Sequence, residues 1–141
     1  MELRDVLSRL TPEGIVEIWR RTWGVGGPHN RGPIDRGKLA ALSEALQSLP
    51  SDTDPSVPAG MALYAITNGR PFWDCNKRTG WFVCYTIMSS VDYALRLSDG
   101  EVELLVLAVE DSRLDEGETI EAVRRAFSHH LASKRQSPGR S

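Results

Sequence analysis

The chain has 141 residues, enough for one domain with a proper core and too few for two ordinary ones. Apolar residues make up 40% and charged residues 26%, the balance of a folded soluble protein, and a net charge of −2 argues against a dedicated nucleic-acid binder. No apolar run is long enough to cross a bilayer, and the opening MELRDVLSRL lacks the apolar core of a signal peptide, so a cytoplasmic chain with no membrane partner is expected.

The first helix is predicted from Thr11, with Thr11 as N-cap and Pro12 at the first helical position. Ile15, Ile18, Trp19 and Trp23 share one face, and Gly24, Gly26, Gly27 and Pro28 stop the helix. After a Gly/Pro/Asn-rich loop, Asp35 caps a second helix with Leu39, Leu42, Leu46 and Leu49 on one stripe, ended by Pro50. Pro50–Pro58 reads PSDTDPSVP and is expected to be an extended, flap-like loop. Met61–Ile66 reads as a short buried helix. Trp81–Met88 is apolar almost all round, the pattern of a central helix enclosed by others.

Ser98 and Glu101 have capping-box spacing ahead of Val102, Leu105, Val106 and Val109, although the β-branched content leaves a strand open. Asp115 and Glu118 repeat the spacing before Ile120, Val123 and Phe127, the last helix. The domain is expected to span residues 1–131, with 132–141 as a flexible polar tail. Cys75 and Cys84 match no metal-ligand spacing, and His29, His129 and His130 are too scattered to form one.

Chemistry concentrates in Arg70-Pro71-Phe72-Trp73-Asp74-Cys75-Asn76-Lys77-Arg78-Thr79-Gly80. Pro71 disfavours helical geometry at Arg70, and helix resumes near Asn76, capped by Asp74 or Asn76. Lys77 and Arg78 then fall in the first turn, where the helix already carries about half a positive charge and where each cation costs about 0.3–1 kcal/mol. One reading sends both into water and leaves Asp74 as a cap. The other places a phosphate there, accepting from backbone N–H groups and both cations, with Mg2+ bridging it to Asp74. Phe72 reads as core. Cys75 has no base near it in sequence, so a catalytic thiol is the lesser alternative.

Arg70–Thr79 resembles the signature of the Fic/Doc family, His-Pro-Phe-x-Asp/Glu-Gly-Asn-Lys/Gly-Arg, and most closely its Doc toxin branch, where Asn-Lys-Arg-Thr is typical. The likeness extends over most of residues 10–130, through Leu10–Glu13, Asp35–Leu39, Met61–Thr67 and Glu121–Phe127. It implies an all-α fold, a single Fic-type helical bundle with a central buried helix and a short flap at Pro50–Pro58 that aligns a target peptide. It also implies transfer of a phosphate or nucleotidyl group from ATP or another nucleoside triphosphate to a protein hydroxyl, with Mg2+ on Asp74. Arg70, Cys75, Asn76, Lys77 and Arg78 would line the phosphate site, and Arg70, Asp74, Lys77 and Arg78 would hold the catalytic positions. For partners the resemblance implies a translation factor as target and an antitoxin as inhibitor.

Three departures from the signature matter. Cys75 stands at the family's glycine. Trp81 stands where adenylylating members carry a second arginine. Arg70 stands at the general-base histidine, and a guanidinium keeps its proton at any physiological pH. Losing a positioned base removes about 10²–10⁴ in rate, or about 3–5 kcal/mol of barrier. Three accounts follow: an inactivated toxin, a natural pseudoenzyme that binds a nucleotide or a partner without turnover, or chemistry that uses Arg70 as a cation. Ser112-x-x-x-Glu116-Gly117 also resembles the inhibitory motif of self-inhibited Fic proteins, but so short a match arises easily by chance and Asp115–Glu118 is adequately explained as the start of the last helix.

Overall fold

A computed structural model describes residues 1–23 and 32–130, leaving the side chain of Trp23, His29 and the expected tail outside the described residues. A short helix not expected from the sequence comes first, α1 (Leu3–Ser8), with no side-chain cap. It exists because Val6 and Leu7 are buried, not because a six-residue helix is stable alone. Thr11 then caps α2 (Pro12–Trp23), its Oγ1 accepting from the Gly14 N–H at 3.1 Å, while Ile15, Val16 and Trp19 are fully buried. Asp35 caps α3 (Arg36–Gln47) by accepting from the Lys38 N–H at 3.1 Å, and Leu39, Leu42 and Leu46 face the core. Leu49 lies beyond the helix end and is half-buried.

Pro50–Pro58 departs from the extended flap expected of it. The Thr53 N–H and hydroxyl both donate to the Pro50 carbonyl, at 3.1 and 2.6 Å, which makes a tight turn. Asp54 Oδ1 accepts from the Ser56 N–H at 2.9 Å and starts α4 (Ser56–Thr67) early, with Pro58 inside its first turn. Proline fits there because its missing donor lies ahead of the intrahelical ladder. Burial works against the Asp54 carboxylate, but the two Ser56 bonds, with Arg124 nearby, outweigh it and hold the pKa below the usual carboxylate range.

The enclosed rod is α4. It packs on α3, α5 (Asn76–Ser90), α6 (Asp99–Glu110) and α7 (Glu116–Ala126), and Ala59, Ala62, Leu63 and Ile66 are fully buried. Close approach depends on missing side chains. A Cβ on Gly60 would come within 2.6 Å of the Ile120 backbone in α7, and one on Gly80 within 2.3 Å of Thr67 Oγ1. The expectation that Trp81–Met88 belongs to a central helix surrounded by others holds for α5 on most sides, since it packs on α1, α2, α4 and α6, but one edge stays open. Val83, Cys84, Ile87 and Met88 do line the core, but Phe82 and Tyr85 are 51% and 41% exposed on the outer edge of α5, along one face with Arg78 and Ser89.

Both predicted capping boxes form. Ser98 and Glu101 exchange bonds of 3.0 and 3.2 Å at the start of α6, which decides helix over strand there, and Asp115 and Glu118 exchange bonds of 3.1 and 2.8 Å at the start of α7. The last helix stops at Ala126. Phe127 turns into a short strand, β2 (Phe127–His129), antiparallel to β1 (Tyr93–Leu95) with Leu95 opposite Phe127. The product is an all-α fold with one small two-stranded sheet among the described residues. No helix among them is long and apolar enough to cross a membrane.

Candidate functional site

Between α4 and α5 the chain makes the bend that Pro71 foretold. Arg70 is left-handed, φ 54°, and its N–H closes the end of α4 on the Ile66 carbonyl at 3.1 Å. Lys38 reaches across from α3 to the Gly69 carbonyl at 2.6 Å and fixes this exit. The following turn is built around buried Asn76. Its Oδ1 accepts from the Phe72 N–H at 3.0 Å and its Nδ2 donates to the Phe72 carbonyl at 2.8 Å. Trp19, fully buried in α2, holds the same turn twice: its ring stacks on Phe72 at 4.7 Å, and its Nε1 donates to the Asp74 carbonyl at 2.9 Å.

Cys75 precedes α5 in the left-handed region, φ 62° and ψ 26°, a conformation that glycine adopts without strain. The first i→i−4 bond of α5 is from the Thr79 N–H to the Cys75 carbonyl at 3.0 Å, so the N–H groups of Asn76, Lys77 and Arg78 lie ahead of the ladder. They form the donor end of a 15-residue helix.

Against that end lies a hollow of about 360 Å3 lined by Arg70, Asp74, Cys75, Asn76, Lys77, Arg78 and Glu110. All six site residues expected from the sequence border it, but not in equal roles. Arg70 is exposed, and its guanidinium makes no hydrogen bond or ion pair to a described residue. Lys77 Nζ lies 3.5 Å from Glu110 Oε1 in α6, and Arg78 Nη1 donates to the Thr22 carbonyl at the end of α2, 3.3 Å away. Asp74 Oδ1 accepts from the Cys75 N–H at 2.7 Å. Asn76 acts first as a positioning residue: its amide oxygen and one of its two amide N–H groups hold Phe72, while its backbone N–H lies ahead of the helical ladder at the hollow.

Burial pushes the Cys75 thiol up, with Asp74 adding to the rise and Arg78 opposing it. Its raised pKa makes this thiol a weaker nucleophile than a free cysteine. Glu110 was missed in the sequence. The available signal was an acid in the last turn of a helix, the end where the dipole disfavours it.

Two other expectations fall away from this hollow. Glu116 opens α7 and lines a separate apolar depression with Lys38 and Gly69, while the Ser112 hydroxyl accepts from Asn68 Nδ2 at 2.8 Å and ties the ends of α4 and α6 together. Pro50–Pro58 lies at the opposite end of the 12-residue α4, about 18 Å from its exit at Thr67. The segment beside the site is the approach to α3. Ile34 bridges Phe72, the Asp35 N–H donates to the Pro71 carbonyl at 2.7 Å, and Gly32 passes so close to the Trp73 indole that a Cβ would overlap it.

A second hollow of about 400 Å3 adjoins the first and shares Lys77 and Arg78; Trp81, Val102 and Val106 form its apolar wall, and Asp99 and Glu103 are its carboxylates. Among the described residues no group of three or more His, Cys, Asp or Glu side chains could hold a metal ion. No protein-family model matches the chain and none of the curated proteins is significantly similar to it, so the family likeness rests on the residues quoted above.

Proposed function

We propose that this is a Fic/Doc-type protein that seats the phosphates of a nucleoside triphosphate at the start of α5, and that Arg70 in place of the base leaves transfer to a protein hydroxyl strongly impaired. The observation that supports this reading is the convergence of Arg70, Lys77 and Arg78 on one hollow at a helix N-terminus. Three cations at the positive end of a helix outnumber the two carboxylates of the hollow, Asp74 and Glu110, so the pocket keeps an excess of positive charge that favours an anion. A phosphate accepts from the backbone N–H groups and the side chains together. The second hollow, with Trp81 on its wall, is large enough for a nucleoside beside it.

Mg2+ fits this donor set in one way. It takes one or two protein carboxylates and completes its shell with phosphate oxygens and water. Asp74 is exposed at the rim and has one oxygen outside its bond to Cys75, so it would offer the ion a single ligand and the phosphate would have to supply others. When bound, it would neutralise charge on the transferring group.

A hydroxyl attacking phosphorus must lose its proton. Arg70 cannot take it. Asp74 would be taken up by the metal and Glu110 is paired with Lys77, so neither stands in for the family's histidine. Arg70 binds phosphate instead, and the expected deficit is about 10²–10⁴ in rate.

Calorimetric titration with ATP–magnesium is expected to give saturable heat with the protein as it stands. Arg70→His is expected to raise transfer of labelled phosphate or nucleotide onto a translation elongation factor by about 10² or more, and to arrest growth on expression where the unaltered chain does not. No heat with ATP–magnesium would refute the nucleotide reading. Heat without transfer by either form would leave a binding module, and transfer that disappears on reversion would assign the chemistry to Arg70 itself.

A further inference from the structure

The three cations of the hollow are held differently. The Arg70 side chain is free among the described residues, Arg78 is held by a neutral carbonyl at 3.3 Å, and Lys77 alone faces a full negative charge, Glu110 at 3.5 Å. That carboxylate is placed against local preference. It ends α6, where the last carbonyls already carry a partial negative charge. The backbone that carries it is pinned from outside, because Asn68 Nδ2 donates to the carbonyl of the preceding Val109 at 3.0 Å. The Glu110 side chain is 25% exposed and the Lys77 side chain 47%, so the pair is neither sealed from water nor fully screened by it.

We infer that Glu110 guards the anion seat: it occupies Lys77 until a phosphate takes its place. The inference rests on reading the hollow as a phosphate site. An anion that reaches Lys77 must displace Glu110 or bear its repulsion. A singly charged anion gains too little from Arg70 and Arg78 to do this. A polyphosphate gains more contacts, and a phosphate that brings a divalent cation also offsets the released carboxylate. The guard thus selects multiply charged phosphates over chloride and simple carboxylates, which abound around any exposed cationic pocket.

Titration with sodium pyrophosphate in the absence of metal tests this. Glu110→Gln keeps the shape and removes the charge, and is expected to bind pyrophosphate about fivefold more tightly than the unaltered chain. Asp111→Asn is the control. It removes an equal charge one residue away, from a carboxylate paired with Arg113 outside the hollow, and is expected to leave affinity within about twofold. In a Lys77→Met background the gain from Glu110→Gln should vanish, with folding of each variant checked by circular dichroism. Equal affinities for the unaltered chain and Glu110→Gln, or an equal gain from Asp111→Asn, would overturn the guard and leave the phosphate reading intact. Failure of every variant to bind pyrophosphate would overturn both.

Discussion

Asn76 and Cys75 show how adjacent positions in one motif do different work. The sequence marks both as candidates for contact with a ligand, because a signature shows which residues recur and not which atoms are already engaged. The structure turns the Asn76 amide inward, where it satisfies both polar groups of Phe72. Removing it would strand a buried N–H and carbonyl, so this residue acts by holding shape. Cys75 bears a backbone strain that its side chain does not need, φ 62° with a Cβ attached. Cys75→Gly is expected to stabilise the protein by about 1 kcal/mol, raising Tm by roughly 2–4 °C in a thermal melt. A lower Tm would mean that the packing of the thiol outweighs the strain.

At the scale of elements, local chemistry was legible and mutual arrangement was not. Thr11, Asp35, Ser98 and Asp115 each cap a helix as their spacing predicts, because a cap is settled within four residues of chain. Helix α1 and the β1–β2 pair escaped notice because three to six residues carry no period, and distant contacts alone stabilise them. The open edge of the central helix α5 was missed for a related reason. Apolar periodicity counts Phe82 and Tyr85 as core, whereas enclosure follows the small residues of α4 that let neighbours come close. The early start of α4 carries its own pH signature. The folded pKa of Asp54 is depressed, so its stabilising contribution is complete above the usual carboxylate range and is lost as pH falls through and below that range. Asp54→Asn should therefore narrow the gap in Tm between pH 6 and pH 3. An unchanged gap would show that other carboxylates govern the acid limb.

At the scale of the whole molecule, the hollow is assembled from three places far apart in sequence: Trp19 in α2 under the bend, the bend with the start of α5, and Glu110 at the end of α6. Only the second is contiguous in sequence. That part of the site was readable as a motif. Glu110 was not, since its nearness to Lys77 depends on how α6 lies across α5, and no spacing along one chain encodes that crossing.

The double hold of Trp19 has a consequence for how the protein fails. Its ring belongs to the core and also grips the bend, stacked on Phe72 and bonded to the Asp74 carbonyl. The bend is thereby tied to the hydrophobic interior: loosening it at Phe72 and Asp74 means breaking the hold of a buried indole. In a urea series, capacity to bind pyrophosphate and far-ultraviolet ellipticity should disappear at a common midpoint, as one cooperative unit. Binding lost at distinctly lower urea would reveal a bend that melts ahead of the bundle.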